Sequence, residues 1–366
     1  MTDTNTTRQT VREQTFERDE STCVVPWCDN PSVDAHHIIE RALWDDGGYM
    51  LGNLASVCSH HHKAAERNEI PPQAFWQWLG IATPLLPESV ETPDTDKWGE
   101  SFETPPWSDL REYPKYPSSR HLLPLYWHDE TLAEERIEND DTGLESIAPF
   151  VGVPLVITHK MDGGNCLVVN DVDNPVRARN GTTPEETMKP LYKPGGLYWQ
   201  AEVSETLPDR LEVFGEWLYA KHSIHYGCDC DEPCDDVGPA LSDLVGVEDE
   251  RAYFQIFGVF DTGLNLWLSW PETERVADAL GFPTTPVIYC EDDSDAATFE
   301  SEHEAINTLT EYAHDVVANG GEGIVVRRKY PFHYGQFGQS LGKYVRENHV
   351  TSDEHWSHRP TVTNVI

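Results

Sequence analysis

Apolar and β-branched residues recur in short runs over the second half of the chain, and glycine, proline or acidic residues bound each run. Runs of this length and composition are typical of strands, whereas the stretches 271–280 and 299–317 show helical periodicity. We therefore expect an α+β domain of two packed antiparallel sheets with flanking helices. The predicted strands cover residues 154–159, 166–169, 211–219, 253–260 and 323–328.

The first third of the chain has a different pattern, with polar stretches around a segment rich in cysteine and histidine. Its residues 72–79 predict a short helix that is opened by proline. Prolines recur after it, as in an extended connector on a surface. The expected organisation is a flexible lead (1–22), a small module (23–82), a proline-rich connector (83–124), a catalytic domain (125–350) and a tail (351–366).

The composition is strongly acidic, with 64 Asp and Glu residues against 26 Lys and Arg, and a formal net charge of −38. Only nine of the basic residues are lysines. This composition resembles that of proteins from a high-salt cytoplasm, where screening makes such self-repulsion tolerable. Basic residues bracket the motifs below, so we expect a positive cleft on a negative body, unless these cations only balance nearby acids.

The chain has no apolar run long enough to span a bilayer and no signal peptide, so a cytoplasmic location without membrane contact is expected. No obligate protein partner is inferred. The eight cysteines do not predict a disulfide scaffold. Cys228, Cys230 and Cys234 lie in an acidic, turn-rich stretch, which favours a surface loop over a second metal site.

A lysine motif begins the chemistry of the catalytic domain: Lys160 is followed by Met, then by Asp162 and Gly163. A lysine amine attacks the α-phosphate of ATP only when it is neutral, and glycines beside it let the chain turn closely around a nucleotide. Alone, this motif also fits a solvated strand-to-turn junction. The blocks that follow in order contain Arg179, Glu216, Phe257, Glu322 and the pair Lys343 and Arg346, most of them in a strand-like context.

In this order and spacing, the blocks resemble the nucleotidyltransferase motifs of ATP-dependent RNA ligases, members of the covalent nucleotidyltransferase superfamily. The resemblance covers residues 113–356. It implies ATP and Mg²⁺ or Mn²⁺ as cofactors, with AMP transferred to Lys160. By the same resemblance, Asp162, Gly163 and Arg179 lie near the nucleotide, and Lys343 binds the α-phosphate. Glu216 contacts the ribose or the metal, and Glu322 binds the metal. Phe257 stacks on adenine, or Phe260 does so instead, because the register of that strand is uncertain.

The last motif departs from the family pattern. Related ligases often have a second lysine where this chain has Val345, and Arg346 follows one place later as a candidate cation for the nucleotide. Only twenty residues follow Arg346, too few for the oligonucleotide-binding barrel of DNA ligases and capping enzymes. Within the superfamily, this favours an RNA ligase.

The cysteine- and histidine-rich segment resembles an HNH, or ββα-metal, endonuclease module with a structural zinc knuckle. Zinc takes four nitrogen or sulfur ligands in a tetrahedron, and two short-range pairs separated by a hairpin supply them. The spacing of the first pair and a histidine in the second depart from the usual knuckle, so His60, His61 and His62 remain open to reassignment. The expected zinc ligands are Cys23, Cys28, Cys58 and His61, with His37 as general base, His36 and His62 as ligands of a catalytic cation and Asn53 as the residue that orients the loop.

The sequence thus predicts an ATP-dependent polynucleotide ligase that joins RNA 3′-hydroxyl and 5′-phosphate ends, fused to a module that cleaves or grips nucleic acid. RNA is the favoured partner and DNA the alternative. The competing hypotheses are an HNH endonuclease with a regulatory nucleotide-binding domain, an ATP-dependent DNA ligase, and a binding scaffold with both centres inactive.

Overall fold

The computed structural model of the chain describes residues 8–25, 28, 30–66, 68, 70–81, 83–93, 95–101, 116–126, 143–171, 175–178, 206–228, 236–263, 266–290, 298–346 and 362–366, without the side chains of 60, 333 and 335. The chain forms two compact units. The N-terminal unit comprises residues 1–104 with the returning segments 264–266 and 330–336. The C-terminal unit comprises residues 105–263, 267–329 and 337–366.

The N-terminal unit contains two strands followed by a helix. Two short strands pair antiparallel, with Asp34 opposite Val57 and His37 opposite Leu54. A helix follows the second strand directly, because Ser59 starts helical backbone right after Cys58. The elements of this part of the chain are α1 (Arg8–Arg18), β1 (Asp34–His37), β2 (Leu54–Val57), α2 (Ser59–Glu66) and α3 (Pro72–Trp78).

Helix α1 replaces the flexible lead that was expected at residues 1–22, over the part of it that the structure describes. Only Val11 and Thr15 of this helix are buried, and the Thr15 hydroxyl donates to the Val11 carbonyl. Arg18 fixes the helix to the module, since its guanidinium donates to the Leu51 and Leu54 carbonyls. A helix with so few apolar residues has no readable hydrophobic period, which explains the missed prediction.

Part of the proline-rich stretch packs on this unit instead of leading away from it. The Gln73 side-chain amide donates to the carbonyls of Pro93 and Thr95, and the Glu40 amide donates to the Lys97 carbonyl. The predicted module boundary at residue 82 therefore falls inside the compact unit, which extends to residue 104. Backbone hydrogen bonds from a neighbouring element make such a segment part of the fold.

The predicted strands and helices of the catalytic domain are present, with ends that shift by up to three residues. Ser269 caps the helix at Trp270–Leu280 in a capping box with Glu272, and Ser301 caps the helix at Glu302–Ala318. The strands after residue 104 are β3 (Arg120–His121), β4 (Leu155–Lys160), β5 (Gly164–Val169), β6 (Val176–Ala178), β7 (Leu211–Trp217), β8 (His225–Tyr226), β9 (Val237–Gly238), β10 (Phe254–Asp261), β11 (Leu266–Trp267), β12 (Val287–Cys290), β13 (Gly323–Arg328), β14 (Phe332–His333) and β15 (Leu341–Val345), and the helices are α4 (Leu241–Val245), α5 (Trp270–Leu280), α6 (Glu302–Ala318) and α7 (Phe337–Ser340).

Two large antiparallel-rich sheets form the main part of the C-terminal unit, beside the short pair β8 and β9. In one sheet the order is β10-β7-β5-β6, and every pair is antiparallel. In the other sheet the order is β12-β4-β13-β15-β3, with only β15 and β3 parallel. The observed α+β fold with packed sheets confirms the predicted class.

Side-chain alternation gives each strand of the second sheet one face for the core and one for chemistry. Leu155 and Ile157 of β4 and Ile324 and Val326 of β13 point into a core that α6 covers. Lys160 lies on the opposite face of β4, together with Thr158. None of the helices in the described part of the chain is long and apolar enough to cross a membrane.

Candidate active sites

Lys160 ends β4 and lies at the start of a tight turn into β5. Its Nζ donates to Glu322 Oε2 at 2.8 Å and lies 3.4 Å from the Met161 carbonyl oxygen. About a quarter of its side-chain surface is exposed (26%), so a ligand can reach the amine. The antiparallel register places Lys160 opposite Gly323, so the residue before β13 delivers its carboxylate to the lysine.

Glycines at two positions let the strands approach this closely. A Cβ on Gly323 would lie 2.0 Å from the Tyr344 carbonyl oxygen, and the φ of Gly323 is +158°. A Cβ on Gly163 would lie 2.6 Å from the Trp217 carbonyl oxygen. Both contacts are too short for any side chain, so the Lys-x-Asp-Gly and Glu-Gly pairs of the sequence have a steric cause.

Glu216 is the second carboxylate of the site. It lies on β7 opposite Asn165 of β5, and its Oε1 accepts the Gly163 amide at 3.1 Å. The sheet pairing thus brings Glu216 to the same turn that carries Lys160. The predicted pair Glu216 and Glu322 therefore converges on the lysine from two sheets.

The site keeps its lysine charged. Burial lowers the pKa of Lys160, but the carboxylates of Glu322 and Glu216 outweigh this effect and raise the pKa overall. Burial, reinforced by the nearby Glu322 charge against the opposing effect of Lys160, raises the pKa of Glu216 to about 7. Two carboxylates share one cation in a buried space, and such hard oxygen donors suit Mg²⁺ or Mn²⁺. Glu216 and Glu322 would hold that ion, which would neutralise charge on a bound triphosphate.

The two cations of the last motif have different surroundings. Lys343 lies on β15 opposite Val325 of β13, and its charge lowers the pKa of Glu322 against the larger effect of burial, which raises it. The Arg346 guanidinium pairs with Asp236 at 2.9 Å, while the Arg346 amide donates to the Glu322 carbonyl. Lys343 is thus near the site electrostatically, whereas Arg346 has an acidic partner that the sequence did not indicate.

The aromatic candidates differ clearly in accessibility. Phe257 is half-buried at a β-bulge of β10, and its ring meets Tyr116 edge-on at 4.9 Å. Phe260 is fully buried and packs on Trp267 at 5.0 Å. Of the two alternatives, only Phe257 has surface left for a base. The Arg327 guanidinium fixes the backbone at Phe257, because it donates to the Phe257 carbonyl at 3.2 Å.

Asp162 faces a loop that sequence reasoning did not connect with the lysine motif. Its Oδ2 accepts the amides of Ser223 and Ile224 at 2.7 and 2.6 Å. Its own amide donates to the Tyr226 hydroxyl at 3.0 Å. Asp162 therefore orients the turn after Lys160. Arg179, predicted near the sugar and phosphates, lies outside the described residues, as do Cys230 and Cys234 of the acidic loop.

In the N-terminal unit, the four predicted zinc ligands come together. The donor atoms of Cys23, Cys28, Cys58 and His61 all lie within 4.8 Å of one another. His61 Nδ1 is 3.2 Å from Cys23 Sγ and 3.3 Å from Cys58 Sγ, and the sulfurs of Cys28 and Cys58 are 3.9 Å apart. Tetrahedral zinc–ligand bonds of about 2.3 Å to sulfur and 2.0 Å to nitrogen require ligand separations of about 3.5–3.8 Å. The cluster fits zinc in chemistry and in size.

A second group of metal-ligand side chains lies on β1 and α2. His36 Nδ1 is 3.4 Å from Glu66 Oε1, and His62 Nε2 is 3.5 Å from the same oxygen. Burial lowers the pKa of His36 and so favours the neutral imidazole that binds metal. Sequence reasoning predicted the two histidines and missed Glu66. Its position four residues after His62 on a helix was the available signal, because such residues share a face.

His37, the predicted general base, lies beside this group. Burial lowers its pKa, although a hydrogen bond to the Gly47 backbone raises it, so the ring favours the neutral form that a base needs. The Asn53 side chain holds the adjacent chain by bonding both polar backbone groups of Ile39 and the Gly48 carbonyl. A cavity of about 220 Å³ joins these groups and is lined by His36, His37, His62, Glu66, Asp34, Glu40, Tyr49, Ala35, Leu54 and the arginines Arg8, Arg12 and Arg41.

The profile of the RNA ligase family matches residues 153–345, more than half of the chain. The chain belongs to the RNA ligase family. The matched segment contains Lys160, Glu216, Glu322 and Lys343, so the lysine-centred site lies within the family domain. No curated protein sequence matches the chain.

Solved structures resemble this family member only distantly. An archaeal ATP-dependent RNA ligase matches with 15% identity, a TM-score of 0.36 and coverage of 63% of this chain and 48% of that chain. An RNA ligase of Naegleria gruberi, solved as a point mutant with ATP and Mn, matches with 13% identity, a TM-score of 0.35 and coverage of 65% and 59%. A putative ATP-dependent DNA ligase from Aquifex aeolicus matches with 14% identity, a TM-score of 0.37 and coverage of 63% and 49%. The chain thus spans about half the length of the archaeal ligase.

Proposed function

We propose that the C-terminal unit is an ATP-dependent RNA ligase that forms lysyl-AMP at Lys160 and then seals 3′-hydroxyl and 5′-phosphate ends. The observation that supports this most is the convergence of Glu322 and Glu216 on a solvent-accessible lysine inside an RNA ligase family domain. The arrangement supplies a nucleophile, an oxygen ligand set for a divalent ion and a cation, Lys343, on β15 of the same sheet, which β13 separates from β4.

Lys160 must lose a proton before it attacks the α-phosphate of ATP. The bond from phosphorus to Nζ would form as the bond to pyrophosphate breaks. Glu322 Oε2, at 2.8 Å, lies within hydrogen-bond reach of that proton and fixes the direction of the amine. Lys343 would offset charge on the phosphate oxygens, and Phe257 would pack against the base. A divalent ion at Glu216 and Glu322 would supply the remaining charge neutralisation.

Covalent labelling tests this proposal directly. The protein would be incubated with ATP labelled at the α-phosphate and Mg²⁺ or Mn²⁺ in concentrated KCl, then denatured. We expect label on the wild-type chain, none on Lys160→Ala, and undiminished label on Lys63→Ala, which changes an exposed lysine of the N-terminal unit. ATP binding without covalent label would instead favour the regulatory nucleotide-binding hypothesis. A panel of nicked and single-stranded RNA, DNA and hybrid substrates then decides between RNA and DNA ligase.

A second candidate function belongs to the N-terminal unit. We propose that it is a zinc-stabilised, HNH-like nuclease, since the ββα order places His37 beside the group of His36, His62 and Glu66 at one cavity. In this assignment the three-residue group would hold a divalent ion that neutralises charge at the scissile phosphate. His37 would accept a proton from the attacking water.

Arginines at the cavity support a polyanionic substrate for this site. Arg8, Arg12 and Arg41 line it, although acidic residues outnumber basic ones 64 to 26 over the chain. Arg8 lies over the Tyr49 ring and Arg41 donates to the Tyr49 hydroxyl, so both guanidinium groups contact the same residue of the cavity wall. Exposed arginines that line the same cavity as the candidate metal ligands are suited to contact the phosphates of a nucleic acid.

The nuclease proposal is tested with end-labelled RNA and duplex DNA in Mg²⁺ or Mn²⁺. We expect metal-dependent cleavage that His36→Ala removes. Arg8→Gln combined with Arg41→Gln should weaken cleavage in a salt-dependent manner, whereas Arg251→Gln, an exposed arginine of the other unit paired with Asp249, should leave it unchanged. Cleavage that survives His36→Ala would assign it to another source. Binding without cleavage would leave the module as a zinc-stapled grip for nucleic acid.

A further inference from the structure

Residues 362–366 lie along the loop that follows β7, and Asn364 is the centre of this contact. Asn364 is almost completely buried, with 2% exposure. Its Nδ2 donates to the Leu218 carbonyl at 2.8 Å, its Oδ1 accepts the Tyr226 amide at 3.0 Å, and its backbone amide donates to the Tyr219 carbonyl at 3.0 Å. One side chain therefore bonds both ends of the loop 218–226.

Backbone contacts continue on either side of Asn364. The Lys221 amide donates to the Val362 carbonyl at 2.8 Å, and the Val365 amide donates to the Tyr226 carbonyl at 2.9 Å. The Tyr253 hydroxyl donates to the Asn364 carbonyl at 3.0 Å. The segment Val362–Ile366, here called the strap, is thus hydrogen-bonded at nearly every position and acts as an added strand-like edge.

The loop under the strap is the one that holds Asp162. Asp162 accepts two of the loop's amides, from Ser223 and Ile224, and donates its own amide to the Tyr226 hydroxyl. Tyr226 belongs to both sets of contacts, because its amide bonds Asn364 and its hydroxyl bonds Asp162. A continuous chain of hydrogen bonds therefore runs from Asn364 through Tyr226 to the residue two places after Lys160.

Leu218, Ile224 and Tyr226 anchor the loop in a small hydrophobic core, but little of its backbone is in regular secondary structure. Of residues 218–226, only His225 and Tyr226 are in a strand, and that strand pairs with a two-residue partner, Val237–Gly238. Short, irregular backbone of this kind takes its position from the groups that satisfy its polar atoms. The strap is the element that satisfies several of them.

We propose that the strap positions the lysine motif of the ligase, with Asn364 as a positioning residue that acts through Tyr226 and Asp162. This inference depends on the proposed lysyl-AMP function of Lys160. The hydrogen bonds of Asn364 end on the loop 218–226 and on Tyr253, so it acts on the lysine only through other residues. Its effect should be on the geometry of attack and not on ATP binding.

The experiment uses the full chain with Asn364→Ala and measures lysyl-AMP formation in a single turnover. We expect the rate to fall on the order of ten- to a hundredfold, because a misplacement of about 1 Å has this effect on an aligned nucleophile. The KM for ATP should stay within about twofold. The final amplitude of lysyl-AMP should be unchanged, which separates a slower site from a fraction of unfolded protein.

Three further variants make the test specific. Val362→Ala is the matched control within the strap. Val362 is 46% exposed, and its hydrogen bond with Lys221 uses its backbone carbonyl, which the substitution keeps. Tyr253→Phe removes one hydrogen bond to the strap and leaves the Asn364 side chain unchanged. It should lower the rate of lysyl-AMP formation by a smaller factor, and it serves as the test if Asn364→Ala does not fold. Tyr226→Phe breaks the next link, so its effect should be non-additive with Asn364→Ala.

Hydrogen exchange gives an answer that does not depend on ligation. Peptides that cover 160–165 and 221–226 should exchange faster in Asn364→Ala than in wild type or Val362→Ala. If wild type forms no lysyl-AMP, the ligase function fails while this exchange still reports on the strap. A wild-type rate of lysyl-AMP formation in Asn364→Ala, or faster exchange confined to the strap itself, would overturn the proposal.

Discussion

In the N-terminal unit, four donor atoms from Cys23, Cys28, Cys58 and His61 face one another within 4.8 Å, whereas in the C-terminal unit Lys160 already has an acidic partner in Glu322. The first group consists of sulfur and nitrogen donors, all of which are typical ligands of zinc. The second combines opposite charges that satisfy each other. Both sites are chemically specific, but of the two only the lysine-centred site combines groups of opposite charge.

The two kinds of site lead us to expect different sources of stability for the two units. Burial raises the pKa of the Cys23 thiol, so a thiolate at that position needs a metal to offset the burial. We therefore expect zinc at this cluster to contribute to the folding of the N-terminal unit. The C-terminal unit has two large sheets with extensive hydrophobic cores, and its site is held by hydrogen bonds and ion pairs within the protein. It should fold without its ligand.

The largest expected effect follows from removing one zinc ligand. Cys23→Ser should reduce bound zinc from about one per chain to none and unfold the N-terminal unit, since structural zinc contributes about 10 kcal/mol or more to small domains. Labelling of Lys160 by ATP should persist. Metal analysis and thermal melting check this, with Cys290→Ser of the C-terminal unit as control. If Cys23→Ser kept its zinc, Cys23 would not be a zinc ligand, and the proposed difference between the two units would be wrong.

A smaller effect separates catalysis from structure inside the N-terminal unit. His37→Ala should keep zinc and the melting temperature, because His37 lies outside the four-ligand cluster. Cleavage of nucleic acid should fall by about 10²–10⁴-fold, the usual contribution of a general base. Zinc content, melting and cleavage are measured on the same preparation. Equal cleavage by His37→Ala and wild type would exclude His37 as the base.

The two aromatic candidates of β10 sharpen the comparison within the C-terminal unit. Phe260→Ala should destabilise this unit by about 3–5 kcal/mol, because a fully buried ring leaves a cavity. Phe257→Ala should mainly raise the KM for ATP, since loss of stacking on a base costs about 1–3 kcal/mol. Denaturant unfolding and adenylylation kinetics measure the two effects. A reversal of these roles would show that adenine lies elsewhere.

The sequence predicted the elements that have a period and the residues that belong to motifs. The strand that carries Lys160 was readable as a short continuous apolar run, and the helix Glu302–Ala318 was readable because apolar residues recur with a helical period. The spacing of two cysteine and histidine pairs around a hairpin predicted a cluster, and the four donor atoms do lie together. The register that brings Glu322 to Lys160 was not readable, because pairing between distant strands depends on the whole sheet.

The features that the sequence did not predict consist mainly of polar residues. The strap has no alternation that distinguishes it from a free tail, and its role depends on the single buried Asn364. Helix α1 buries only Val11 and Thr15. Glu66 is one of 64 acidic residues, and only its spacing from His62 marks it. The acidic composition indicates the character of the surface, but it does not identify the few polar residues that have specific structural contacts.

The smallest expected effect concerns a carboxyl group buried in the C-terminal unit, away from the lysine. Burial raises the pKa of Glu212 to about 8, although Arg177 lowers it. Between its ordinary value of 4.5 and about 8, the folded protein keeps a proton that the unfolded chain releases. This group therefore lowers stability progressively as pH rises through that window, with no further change above it.

Glu212→Gln has no proton to lose, so it should remove this part of the pH dependence. Its stability relative to wild type should increase from pH 5 to pH 8, by at most about 1.4 kcal/mol per pH unit for a single proton. Denaturant unfolding at constant high salt measures the slope, with Glu311→Gln on the exposed side of α6 as control. Parallel pH profiles for wild type and Glu212→Gln would mean that Glu212 is ionised in the folded protein. The C-terminal unit would then tolerate an unpaired buried charge, contrary to the internal charge balance that distinguishes it from the zinc cluster.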